Sequence, residues 1–168
     1  MQNLRIGFTG YRPEKLWGNN LHDAHYQHLS NQLLATIKQL INRYHAQKIT
    51  ANCGIARGAD MVFAYTILRL HPLEANLIAW CPFPQQADNW PADQQTLYLD
   101  LLNACQTVNY SAAQYTSASY HQRNRAIVNH SDLLIAVYNG QPGGTRNTVT
   151  YAKRHGCPVI LIDPATIN

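Results

Sequence analysis

The chain has 168 residues, of which 46% are hydrophobic and 13% charged, so it suits one domain with a proper core and is not expected to be disordered. Its net charge of +4 favours anionic ligands, but no block of Lys or Arg marks a nucleic-acid-binding arm. Four scattered cysteines indicate reduced thiols rather than disulfides or a zinc site. The sequence shows neither a signal peptide nor an apolar run near the about 20 residues of a membrane span, and we expect a cytoplasmic protein.

Short apolar runs alternate with helical patterns along the whole chain. In chain order, the sequence predicts a strand at Leu4–Thr9, a helix at about Asp23–Tyr44, a strand at Lys48–Ala51, a helix at Asp60–Leu70, a strand at Asn76–Cys81, a helix at Asp93–Asn103, a weaker strand at Gln106–Tyr110, a helix at about Tyr120–His130, a strand at Asp132–Tyr138, a helix at Thr145–His155 with Gly156 as its cap, and a strand at Val159–Ile162. The polar stretch Ser111–Ser119 is predicted to be a mobile loop.

Continuously apolar strands separated by helices are typical of a parallel sheet that is covered on both faces. We therefore expect one α/β domain over residues 1–168, doubly wound and Rossmann-like, with a mainly parallel sheet. In such folds the ligand binds outside the carboxyl ends of the strands, so the loops that follow the strands hold the candidate site.

Glycine-rich turns follow several of these strands. The last of them, Gly143-Gly144-Thr145, directly precedes a helix and is a candidate phosphate cradle, because glycine permits close approach and helix N-termini present free N–H groups. Gly54, Gly58 and Asp60 are candidates for a second such turn. The chain has neither a P-loop nor a Gly-x-Gly-x-x-Gly motif, which gives no support to an ordinary NTPase or dehydrogenase.

The motifs resemble a known family. The segments "TGYRPEKL", "GIARGAD", "NWPADQQTLYLDLL", "RNRAIVNHSDLLIAVYNG" and "GGT…YAKRHGCPVI" are similar, in the same order, to the YpsA-like family of the SLOG superfamily, which also includes DNA-processing protein A and the Lonely-guy phosphoribohydrolases. The resemblance implies a Rossmann-like sheet with a pocket for a nucleotide or nucleotide-derived ligand, and it makes a homodimer plausible. The positions that it carries over are Gly10, Tyr11, Arg12, Gly54, Gly58, Asp60, Arg123, Asn124, Asp132, Gly143, Gly144 and Thr145.

One position departs from the Lonely-guy pattern. Those enzymes have a glutamate three residues after their glycine-threonine pair, and the matching residue here is Thr148. A threonine cannot serve as the carboxylate acid or base, which argues against phosphoribohydrolase activity.

Several candidates have both a binding and a structural interpretation. Arg12 is suited to grip a phosphate, or it pairs with Glu14 or another carboxylate. Tyr11 stacks on a base or ribose, or it is a packed loop aromatic. Asp60 contacts ribose hydroxyls or catalyses, or it is an ordinary first-turn acid. Arg57 contacts the ligand or faces solvent.

The other candidates divide in the same way. Arg123 and Asn124 are expected to reach toward a phosphate, whereas Asp132, at the opposite end of its strand, is expected to be structural. His22, His25 and His28 are interpreted as a polar helix face, without a metal site. A helix after Cys53 is one way to lower the pKa of its thiol, although a reactive role is not favoured.

These residues support three functional hypotheses. The first is a cytosolic sensor or carrier of a nucleotide-like molecule such as NAD, ADP-ribose or a nucleoside monophosphate. The second is a hydrolase of an N-glycosidic or phosphoribosyl bond, with Asp60 or Glu14 as the catalytic carboxylate. The third, which the low net charge disfavours, is a single-stranded nucleic-acid binder that uses the tyrosines of Tyr110–Tyr120 together with Arg123 and Arg125.

Overall fold

The computed structural model of the protein describes residues 3–70 and 74–168. Its strands are β1 Asn3–Gly10, β2 Lys48–Cys53, β3 Glu74–Cys81, β4 Thr107–Tyr110, β5 Leu133–Val137 and β6 Val159–Ile162. Its α-helices are α1 Ala24–Tyr44, α2 Ala59–Leu68, α3 Ala92–Ala104, α4 Ser119–Asn129 and α5 Gly144–Arg154. Short 3-10 helices lie at Pro13–Lys15 and Pro164–Thr166.

The six strands form one parallel sheet in the order β4-β3-β2-β1-β5-β6. The chain moves outward from β1 to β4 and then returns to place β5 on the other side of β1. The direction of winding therefore changes between β1 and β5, and in doubly wound sheets this is where a crevice opens at the carboxyl ends of the strands.

Helices cover both faces of the sheet. A large core lies under α1, α2 and α3, and a smaller core joins Ile127 and Val149, on α4 and α5, to Leu134 and Ala136 of β5. Helix α2 is buried on nearly all sides, as expected for an apolar helix enclosed by the sheet, α1 and α3. Its Phe63 ring stacks on Phe8 of β1, with 4.3 Å between the ring centroids.

The predicted α/β architecture and all eleven predicted elements are confirmed. The boundaries differ by a few residues: β2 continues to Cys53 because it pairs with β3 as far as Ala79, and α4 begins at Ser119 rather than after it.

Asp132 precedes β5 and is structural as expected, but its partner is Arg5 of β1, at 2.6 Å. Burial raises the pKa of the Asp132 carboxyl, and the hydrogen bonds and charge of Arg5 outweigh this and lower it.

Candidate ligand site at the carboxyl edge of the sheet

A cavity of about 340 Å³ opens at the carboxyl ends of β1 and β5. Four parts of the chain line it: the end of β1 with the turn that follows it, the start of α2, helix α4, and the turn that opens α5. Of the residues predicted for the site, those that line the cavity are Gly10, Tyr11, Arg12, Glu14, Asp60, Arg123, Asn124, Gly143, Gly144 and Thr145. The strand-end turns therefore meet at one cavity, as their positions in the sequence predicted.

Three predicted residues lie behind this lining. The Arg57 guanidinium donates to Glu14 at 2.8 Å and to Asn19 at 3.1 Å. Gly58 has a φ of +87°, and a Cβ there would lie 2.8 Å from the carbonyl oxygen of Tyr11. The glycine thus lets the turn after β1 pack against the start of α2. Gly54 leaves room for the Arg123 side chain, which occupies the space where a Cβ would be.

The turn after β1 is held on three sides by hydrogen bonds. The Tyr11 N–H donates to the carbonyl of Val137, and the Ala59 N–H donates to the carbonyl of Tyr11. The Tyr11 hydroxyl donates to Asn139 Oδ1 at 2.6 Å and accepts from the N–H of Gln141. Tyr11 is therefore a packed loop aromatic whose ring forms part of the cavity wall.

Arg123 is a buried cation that its protein neighbours leave incompletely paired. Only 7% of its surface is exposed, and within the described residues its Nε and Nη1 atoms have no hydrogen-bond partner. Its guanidinium lies 5.7 Å from the centre of the Tyr120 ring, and that of Arg12 lies 5.4 Å from the same ring. Two guanidinium groups thus share one aromatic ring at the cavity.

Asp60 is the buried carboxylate of the cavity, with 5% of its surface exposed. It accepts a hydrogen bond from the N–H of Ala56 at 3.2 Å. Burial raises the pKa of the Asp60 carboxyl, and this effect outweighs the opposing influence of Arg123 and of the Ala56 hydrogen bond. Asp60 is thus a buried acidic group that lies among the cations of the cavity.

The other charged groups of the cavity leave it with a surplus of cations. Glu14 does not pair with Arg12, which was one of the two interpretations of that arginine, because it pairs with Arg57 at 2.8 Å. Lys15 extends from the same turn and donates to the carbonyl of Pro142 at 2.7 Å. The cavity thus gathers Arg12, Lys15 and Arg123 against one buried carboxylate and one that is already paired.

The N-terminus of α5 also faces the cavity. Its cap residue Gly143, with a φ of +144°, provides no side-chain cap, so the first N–H groups of the helix are left for water or a ligand. The Thr145 hydroxyl donates to the carbonyl of Gly10 at 3.1 Å and ties this turn to β1. The Thr148 hydroxyl donates to the carbonyl of Gly144 within the same helix, so it does not replace a catalytic carboxylate.

The lining residues outside the predicted set include Lys15 and Tyr120. Lys15 belongs to the "TGYRPEKL" segment and could have been found from that proximity. Tyr120 lies three residues before Arg123 on a predicted helix, a spacing that places both side chains on one face.

The cysteines and histidines do not form a reactive or metal centre in the part of the chain that the structure describes. Burial raises the pKa of the Cys53 thiol well above its usual range, the reverse of the effect considered for a helix start. The Nδ1 atom of His25 is hydrogen-bonded to Oδ1 of Asp23 at 2.8 Å, and the His25 ring stacks on Trp17. Within residues 3–70 and 74–168, no three potential metal ligands cluster and no helix is long and apolar enough to cross a membrane.

Comparisons with known proteins agree with this fold. The uncharacterized SPbeta prophage-derived protein YoqJ of Bacillus subtilis is 31% identical over 141 residues, which cover 75% of this chain and 81% of that protein. DNA processing protein A of Helicobacter pylori, described with a single-stranded DNA binding mode, superposes with a TM-score of 0.58 at 16% identity. The same protein from Streptococcus pneumoniae superposes with a TM-score of 0.64 at 15% identity.

Both superpositions include 95% of this chain but only 65% and 50% of the respective DNA processing proteins, so the chain spans about half to two thirds of their length. At these identities the likeness concerns the fold. The family model described as "YspA SLOG family" matches residues 6–167. The chain therefore belongs to the YpsA family of SLOG proteins.

Proposed function

We propose that this protein binds a nucleotide or nucleotide-derived ligand in the cavity at the carboxyl edge, with the phosphate of the ligand near Arg123. The observation that carries the proposal is the buried guanidinium of Arg123 with two unpartnered nitrogen atoms. A buried polar group without a hydrogen bond costs about 1–3 kcal/mol, and a charged group costs more. A phosphate oxygen at this position would supply the missing acceptors.

The surroundings of Arg123 suit the rest of such a ligand. Arg12 and Lys15 add positive charge, and the free N–H groups at the start of α5 are suited to bind phosphate oxygens. The Tyr120 ring offers an aromatic face for a base. A volume of about 340 Å³ lies at the lower end of the range of small-molecule pockets, which is about 300–1,000 Å³.

Calorimetric titration with AMP, ADP-ribose and NAD tests this proposal. We expect at least one of them to bind the wild-type protein, and we expect Arg123→Gln and Arg12→Gln to weaken that binding by about 10–100-fold, because a charge-assisted hydrogen bond is worth about 1.5–3 kcal/mol. Lys38→Gln removes one positive charge from the exposed face of α1 and serves as the matched control.

Absence of binding by all three compounds, with the native fold verified by circular dichroism, would overturn the proposal. It would also be overturned if Arg123→Gln bound the ligand as tightly as the Lys38→Gln control does.

A second candidate function is hydrolysis of an N-glycosidic or phosphoribosyl bond. It is favoured by one observation: burial raises the pKa of Asp60, and a carboxyl group with a raised pKa can donate a proton to a leaving group. Incubation with AMP or NAD followed by chromatography of the released base tests it. Release of the base by the wild type, with none by Asp60→Asn, would support hydrolysis. If the wild type binds the ligand but releases no base, hydrolysis is refuted and only the binding function remains.

A further inference from the structure

A second cavity lies between α4 and α5, outside the site described above. It has a volume of about 550 Å³, and its lining includes Arg125, Arg154, Tyr151 and His155. Resting on the proposed nucleotide-binding function, we infer that this α4–α5 groove holds the second phosphoryl group of the same ligand, which is a phosphodiester-linked dinucleotide.

The groove is positively charged and its described lining contains no carboxylate. The sequence explains this: neither residues 111–131 nor residues 133–162 contain an Asp or a Glu. The acid between these two stretches, Asp132, precedes β5 and is paired with Arg5 of β1 at 2.6 Å. Since Asp132 is engaged by Arg5 and no carboxylate in the described lining pairs with Arg125 or Arg154, the groove favours an anion.

One cation of the groove, Arg125, is ordered by an aromatic stack. The Arg125 guanidinium lies 5.4 Å from the centre of the Tyr151 ring, and this ring stacks on His155 with 3.9 Å between centroids. The Tyr151 hydroxyl donates to Asn129 Oδ1 at 3.0 Å, which fixes the ring between the two helices. The stack holds a cation in place before any ligand binds, which lowers the entropy cost of binding.

The groove adjoins the first cavity. Asn124 lines both of them, with Arg123 and Arg125 on either side of it in the sequence. Along α5, Thr145 lines the first cavity, whereas Thr148 and Arg154 line the groove. Since helical side chains lean toward the N-terminus of their helix, those of α5 point back toward the first cavity.

The separation of the first cavity and the groove along α5 indicates the type of linkage. Thr145 and Arg154 are nine residues apart, which corresponds to about 13 Å along a helix axis. The two phosphorus atoms of a pyrophosphate share one bridging oxygen, so its charge stays within one of the cavities. A dinucleotide that begins with a 5′-phosphate carries its two phosphoryl groups on either side of a nucleoside and can place one in each cavity.

Calorimetric titration of the full chain with AMP, NAD and the 5′-phosphorylated dinucleotide pApA tests this inference. We expect pApA to bind at least tenfold more tightly than AMP, and NAD to show no such gain. The double variant Arg125→Gln/Arg154→Gln should reduce the affinity for pApA to that for AMP while leaving AMP binding unchanged. Arg12→Gln should weaken the binding of both.

The control is the double variant Lys38→Gln/Lys153→Gln, which removes the same amount of positive charge. Lys153 is an exposed neighbour of Arg154 on α5, and Lys38 is exposed on α1. This variant should keep the preference for pApA. An equal loss of this preference in the control would overturn the inference, since general attraction would then explain it.

Three other results would also overturn the inference. They are equal binding of AMP and pApA, weakened AMP binding in the groove variant, and an affinity that keeps rising from pApA to longer strands, which would indicate a nucleic-acid surface. Equal binding of AMP and pApA would overturn only the inference about the groove, because the protein would still bind a nucleotide. Failure of all the nucleotides to bind would overturn both the inference and the proposed function.

Discussion

Replacing Gly54 with alanine should show how tightly the Arg123 side chain is held. A Cβ at position 54 would lie 1.7 Å from Arg123 Nη1, 2.7 Å from its Cζ and 3.0 Å from Asp60 Oδ2. The φ of Gly54 is not positive, so an alanine is compatible with the backbone and the cost arises from these contacts. The guanidinium has to move away from its buried position.

The size of the effect follows from this overlap. Overpacking of a well-packed interior costs about 1–3 kcal/mol of the free energy of unfolding. For a chain of this length, each kcal/mol lowers Tm by about 2–4 °C. Because the displaced guanidinium no longer faces the ligand, Gly54→Ala should also weaken nucleotide binding by about tenfold or more.

A double-mutant cycle measured by urea unfolding separates the clash from other effects of the alanine. In the wild-type background, we expect Gly54→Ala to lower the free energy of unfolding. In an Arg123→Ala background, where the clashing group is absent, this loss should be smaller by at least about 1 kcal/mol. Equal costs of Gly54→Ala in the two backgrounds would refute the reasoning, since the destabilisation would then not depend on Arg123.

Three further outcomes can be measured. Phe63→Ala should lower the free energy of unfolding by about 3–5 kcal/mol in urea melts, because the ring is fully buried against Phe8, and a loss below about 1 kcal/mol would contradict this packing. Because the folded-state pKa of Asp60 is raised, the wild type should lose stability relative to Asp60→Asn as the pH rises from about 4 through that folded-state value, and a pH-independent difference would contradict the assignment. In native protein, Cys53 should not react with a thiol reagent that modifies it after unfolding, because its thiol is buried and its pKa is raised, and labelling at equal rates in both states would contradict this.

The fold could be predicted from the sequence because strand and helix patterns are local. Each apolar run and each helical repeat identifies its own element, and the parallel sheet follows from their alternation. The exact ends of the strands could not be predicted in this way. The extension of β2 to Cys53 depends on its pairing with β3, which is a contact between distant parts of the chain.

The loops that line the cavity could be predicted from the sequence, but the arrangement of their side chains could not. Sequence position shows that Arg57 follows a strand, but its side chain turns to Glu14 and not into the cavity. In the same way Arg123, one of several candidate cations, becomes the central one only when the structure shows that it is buried and that two of its nitrogen atoms have no hydrogen-bond partner among the described residues. Burial and pairing are set by the packing of separate elements.

The hydrogen bonds that hold the turn after β1 have a consequence for the kinetics of recognition. Because Tyr11 is fixed to β5 by Val137 and to α2 by Ala59, this wall of the cavity is assembled in the free protein. A preorganised wall has no folding step of its own to slow association. We therefore expect changes in this turn to alter chiefly how long a nucleotide stays bound, and its rate of arrival to depend mainly on the surrounding positive charge.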